Sequence, residues 1–152
     1  MANVIVKTIL KTIGSDKKYF LEGKIFYDDE GNCKMQERGG VYGIAVKLEE
    51  DEVESFFNKH KDERKKDLKY SDWKNIGNGY YPLYWGKDIN LGFRLFEHLK
   101  ASKTLGTVQL NLKQFLKGKD VIYGAVFCSN NTKNEKKLRE NYPDIFKTKK
   151  LP

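Results

Sequence analysis

The chain has 152 residues, 39% hydrophobic and 13% aromatic, enough for one domain with a packed core and too much for global disorder. Its formal net charge of +8 favours polyanionic partners, nucleic acid or an anionic membrane surface, about as well as it fits a solvated lysine-rich surface. No run approaches the ~20 apolar residues of a membrane span, so a cytoplasmic chain with no membrane partner is expected.

The apolar start, Val4 to Ile13, is broken by Lys7 and Lys11 and has no cleavage-site pattern of an export signal. Its i, i+4 repeats predict a short helix ended at Gly14, although its β-branched content would also suit a strand. Lys18 to Tyr27 is strand-like, and Asp28 to Asn32 is a turn cluster around Gly31. Residues 1–38 are expected as an amino-terminal extension. Cys33 and Cys128 show no metal-ligand spacing; they could form one disulfide, but free buried thiols of a reducing compartment fit better.

Val41 to Leu48 is a strand by alternation, with Tyr42, Ile44, Val46 and Leu48 on the greasier face. A tyrosine such as Tyr42, at the opening end of that face, is by itself more often a core-edge residue than a catalytic one. Glu49 to Asn78 is highly charged, acidic first and basic after, which predicts an exposed helix from Asp51 to Leu68 on a surface insertion. Its Lys61, Arg64, Lys65, Lys66 and Lys69 could meet a nucleic-acid backbone, against the plainer reading of a solvated face. His60 reads as solvated.

Tyr80 to Trp85 is the next strand, with Pro82 arguing for an edge or a bulge near its start. A turn from Gly86 to Asn90 leads into a helix capped by Asp88 or Asn90, whose Leu91, Leu95, Phe96 and Leu99 pack inward. Arg94 and His98 fall at i and i+4 and share one face, an arrangement able to hold a phosphate. Gly106 to Leu112 reads as a short ordered element. Asp120 to Cys128 is a third apolar strand, followed by a helix from Lys133 to Asn141, capped by Asn130 or Asn131 and carrying Glu135, Arg139 and Glu140.

No phosphate-binding glycine loop, zinc signature or serine-nucleophile elbow occurs. Phosphodiester cleavage needs a cation to hold the phosphate and meet developing charge, which suits Arg94. It also needs a carboxylate for a hard divalent ion, either Glu135 or Glu140, and a tyrosine or histidine to help a water attack.

Gly40-Val41-Tyr42 followed by Tyr84-Trp85-Gly86 resembles the name-giving pair of the GIY-YIG nuclease family. Asn90, Leu91, Arg94 and His98 stand in the register that follows the family's second triplet. The resemblance runs from about Gly39 to Phe146. It implies a single α+β domain with a small three-stranded antiparallel sheet flanked by helices, here with a charged helical insertion (49–78) between the first two core strands. It implies an endonuclease that hydrolyses DNA with Mg2+ or Mn2+. Arg94 would hold the phosphate, Tyr42 and Tyr84 would be the paired tyrosines with Tyr42 helping to activate water, and His98 would assist. Glu135 would bind the metal, with Glu140 as the fallback because it sits where the helix ends.

Three features depart from the family pattern. The first two strands are normally joined by a short link, whereas 41 residues separate Tyr42 from Tyr84, an excursion that costs little extra loop entropy. Trp85 stands in place of isoleucine, and the family's late asparagine has no clear counterpart, Lys147 lying about where it would fall. These departures keep open a second expectation, a nucleic-acid-binding module of the same fold without catalysis. Oligomeric state is not legible.

Overall fold

A computed structural model describes residues 2–14, 20–25, 39–88 and 118–146. Over these the protein is α+β, with a four-stranded antiparallel sheet and three α-helices. In chain order they are α1 (Val4–Ile13), β1 (Phe20–Ile25), β2 (Gly40–Lys47), α2 (Val53–His60), β3 (Tyr80–Asp88), β4 (Asp120–Phe127) and α3 (Asn131–Asn141). The sheet order is β1-β4-β2-β3. The three strands expected from the resemblance lie side by side as β4, β2 and β3. The expectation of a three-stranded sheet is corrected to four, because β1 adds itself to β4 from Phe20↔Val126 to Ile25↔Val121.

The mixed signal of the first segment resolves as a helix because its ends are capped. The Asn3 side chain accepts from the Val6 amide at 3.0 Å, and Gly14 takes the left-handed conformation (φ 66°) that a side chain would oppose. Ile5, Val6 and Ile9 then bury completely against one face of the sheet with Val41, Ala45, Val126 and Leu138. Asn3 also ties the helix to the sheet, donating through Nδ2 to the Tyr123 carbonyl.

The opposite face carries Tyr42, Ile44, Val46, Leu83 and Tyr84 against Val53, Phe56, Phe57 and Trp73. The last four come from the segment expected as a surface insertion. That expectation is corrected: the segment supplies part of the core. The helix expected from Asp51 to Leu68 is shorter, a 3-10 turn at Glu50–Glu52 running into α2, which ends at His60. Two competing bonds stop it there. The Asp62 side chain accepts from the Arg64 amide, and the Asp62 amide donates to the Ile145 carbonyl. His60 is not simply solvated; its ring lies 4.4 Å from that of Phe56, and burial with repulsion from Lys59 and Lys119 lowers its pKa.

Pro82 sits on an edge strand and at a bulge. Register shifts between Ile44↔Tyr84 and Ala45↔Pro82, leaving Leu83 as the extra residue. The shift places Leu83 and Tyr84, consecutive in sequence, in the same core cluster. Strand β3 also runs three residues beyond the expected end, to Asp88, so Gly86 and Lys87 belong to the strand.

Candidate functional site at the β3 edge

Tyr42 and Tyr84 are neighbours, with ring centroids 6.2 Å apart and planes tilted by 45°. Two glycines make room for the aromatic residues. Gly86 lies opposite Tyr42 in the β2–β3 register, and a Cβ there would collide with the hydroxyl end of the Tyr42 ring. Gly43 lies opposite Trp85, where a Cβ would collide with the indole. Trp85 is thus accommodated over a glycine. Its indole Nε1 donates to the Tyr142 carbonyl at 2.8 Å.

Helix α3 packs beside β3 and brings Glu135 and Arg139 to its edge. At i and i+4 the two share a helical face, and Arg139 Nη1 meets Glu135 Oε1 at 2.7 Å. The guanidinium lies 5.2 Å from the centre of the Tyr84 ring and is hydrogen-bonded to that side chain. Arg139 Nη2 donates to the Trp85 carbonyl at 2.5 Å. Burial pushes the Glu135 carboxyl above the usual range, against the pull of Arg139 and Lys87. Lys87 itself reaches α3, donating to Thr132 Oγ1 at 2.7 Å.

The chain after α3 closes the edge. Asp144, fully buried, accepts from the Trp85 amide at 2.8 Å, and the Phe146 amide donates to the Leu83 carbonyl at 3.1 Å. Unmet edge groups of a sheet are thereby covered. Lys65, from the connection between β2 and β3, pairs with the Asp144 carboxylate and donates to its carbonyl at 2.5 Å. Arg139 Nε approaches the other carboxylate oxygen at 3.5 Å. Burial lowers the Lys65 pKa, and Asp144 opposes that change.

The structure therefore places Tyr42, Tyr84 and Glu135 in one chain of contacts through Arg139. Glu140 is elsewhere, its side chain 61% exposed and 3.9 Å from Lys136. Arg94 and His98 lie outside the described residues, as do Asn90, Leu91, Lys147, Cys33 and the expected element at 106–112. Cys128 is a free thiol. Among the described residues, no three His, Cys, Asp or Glu side chains converge as a metal cluster, and no helix is long and apolar enough to cross a membrane.

Residue-by-residue reading missed Lys65, Lys87, Arg139 and Asp144 as parts of the site. Arg139 carried one usable signal, its i, i+4 spacing from Glu135. Asp144 carried another, a lone carboxylate between Pro143 and the apolar pair Ile145-Phe146. An open groove of about 530 Å³ lies beside this cluster, lined by residues 64–68 and Glu140, Asn141 and Pro143, with Asp72 and Lys74. Its charges are mixed rather than uniformly basic.

The chain matches no protein-family model, no curated protein and no solved structure.

Proposed function

We propose that the protein is a divalent-metal-dependent endonuclease that hydrolyses DNA phosphodiester bonds, built on a GIY-YIG-like core of β2, β3 and β4 with an enlarged β2–β3 connection. The observation that carries this reading is the pairing of Tyr42 with Tyr84 beside a helix that presents Glu135. These residues are far apart in sequence: Tyr42 on the inner strand β2 and Tyr84 on the edge strand β3 are both buried, and Arg139 links Tyr84 to Glu135. Arg94 holds the phosphate and offsets charge developing on it, Tyr42 helps to take a proton from the attacking water, and His98 assists. A cytoplasmic location accompanies this reading.

Glu135 fits Mg2+ or Mn2+ by donor chemistry. Mg2+ commonly takes one or two carboxylates and completes its shell with water and substrate phosphate, so a lone carboxylate is sufficient protein ligation. When bound, the ion supplies charge stabilisation at the phosphoryl oxygens. The side chain is 15% exposed, so it is held by its surroundings and still reaches the surface.

The engagement of Glu135 by Arg139 favours one second reading, a nucleic-acid-binding module without turnover. Plasmid nicking with Mg2+ separates the two. The nuclease reading expects cleavage by the wild type and a loss of roughly hundredfold or more in Glu135→Ala and Arg94→Ala, the scale set by removing a group that meets transition-state charge. Salt-sensitive DNA binding with no cleavage would leave the binding module. Equal cleavage by all three proteins would mark a contaminant and remove the nuclease reading.

A further inference from the structure

Arg139 is shared between two carboxylates, close to Glu135 (2.7 Å) and farther from Asp144 (3.5 Å). Which carboxylate holds it more closely depends on how far the charge of Asp144 is already met. Asp144 has the Trp85 amide on one oxygen and Lys65 on the other. Lys65 is only 18% exposed, and its ammonium bonds both the side chain and the carbonyl of Asp144. A buried carboxylate satisfied in this way competes weakly for the guanidinium, and Arg139 stays with Glu135 and Tyr84.

We propose that Lys65 and Asp144 are positioning residues: Lys65 satisfies Asp144, Asp144 sets the place of Arg139, and Arg139 orients the Glu135 carboxylate beside Tyr84. The enlarged β2–β3 connection then has a defined task at the site, because it delivers the ammonium on which the relay depends. The catalytic consequence rests on the nuclease reading, whereas the relay itself does not. Partners that orient a metal-ligating carboxylate typically matter by 10- to 100-fold when removed.

The test uses the full chain and two readouts. One is the Nε–Hε signal of Arg139 in a proton–nitrogen correlation spectrum, and the other is kcat and KM for plasmid nicking with Mg2+. In Lys65→Met the Asp144 carboxylate loses its cation and draws Arg139 away from Glu135. The Arg139 signal is expected to shift while the amides of β2 keep their positions, with kcat falling roughly tenfold and KM unchanged. Lys65→Arg is expected to restore both. Asp144→Asn keeps an oxygen for the Trp85 amide but removes the charge, so the Arg139 signal is expected to move in the opposite sense; it decides the matter if Lys65→Met does not fold. An Arg139 signal unmoved in a folded variant would overturn the relay. Absence of cleavage by the wild type would remove the nuclease reading alone, leaving the spectral result to decide the relay.

Discussion

The two edges of the sheet handle charge differently. On the β1–β4 side, Lys24 pairs with Asp120 at 3.4 Å, with the side chains 48% and 35% exposed. On the β3 side, Lys65 and Arg139 converge on Asp144, which is fully buried and also accepts a strand amide. Water can reach the half-exposed Lys24 and stand in for one partner of the first pair, although Asp120 Oδ1 is itself shielded. Water cannot readily replace the partners of the second, so removing one member leaves desolvated charge behind. The lesson is that the β3 edge joins stability to the candidate site, whereas on the other side Asp120 gathers Lys24 and Tyr80 apart from that site.

The largest expected effect follows directly. Asp144→Ala removes the common partner of Lys65 and Arg139 and the acceptor of the Trp85 amide, and is expected to cost about 3–5 kcal/mol. Urea unfolding of both proteins measures it; a loss below about 1 kcal/mol would erase the contrast between the edges. Next in size is Gly86→Ala. The added methyl would meet the Tyr42 ring, and such overpacking costs about 1–3 kcal/mol. A displaced Tyr42 is expected to reduce nicking as well, so stability and cleavage measured together show whether the ring's seat serves both.

Much of this architecture was readable from local pattern. Strand β2 announced itself by alternation, α1 by its i, i+4 repeats and Gly14, and Pro82 marked both an edge and a bulge. Part of the contact chain was also legible, since Tyr42, Tyr84 and Glu135 were named from motif and spacing and are linked through Arg139. The segment after β2 misled for a physical reason. Its lysines and glutamates dominate the composition, while burial is carried by a few residues, Val53, Phe56, Phe57 and Trp73, and no single helical stripe spans them. The charge relay was hidden because it is non-local: Lys65 and Asp144 are 79 residues apart, and no periodicity links them. Strand β1 lay outside the matched motif, so its addition to the sheet had no signal beyond its own strand character.

A smaller effect tests the layer that covers the β3 edge. Helix α2 leads through Asp62 to the Ile145 carbonyl, and His60 lies at its end with a pKa lowered by burial and by Lys59 and Lys119. The unfolded chain therefore takes up the proton first as pH falls. The stabilising contribution of neutral His60 is complete above its unfolded pKa, near 6.5, and is lost as pH falls through the lower folded value. Wild type is expected to lose stability across that acid window more steeply than His60→Gln, and the two profiles should run parallel above it. Parallel profiles throughout would mean that the imidazole is as solvated as its charged surroundings suggest.

The smallest effect belongs to the other side of the sheet. Lys24→Met removes the cation from Asp120, but Tyr80 still donates its hydroxyl to that carboxylate at 3.0 Å. Exposed ion pairs contribute about 0–1 kcal/mol and are screened by salt. Urea unfolding is expected to place Lys24→Met within about 1 kcal/mol of wild type at low salt, with the difference shrinking as salt rises. The Asp144→Ala loss, arising from charge kept away from solvent, is expected to persist over the same salt range. If both losses fade together, Asp144 is reached by water and the β3 edge is open. If only the Lys24 difference fades, the covered edge holds its charges in a place that ions cannot screen, as a relay from Lys65 to Glu135 requires.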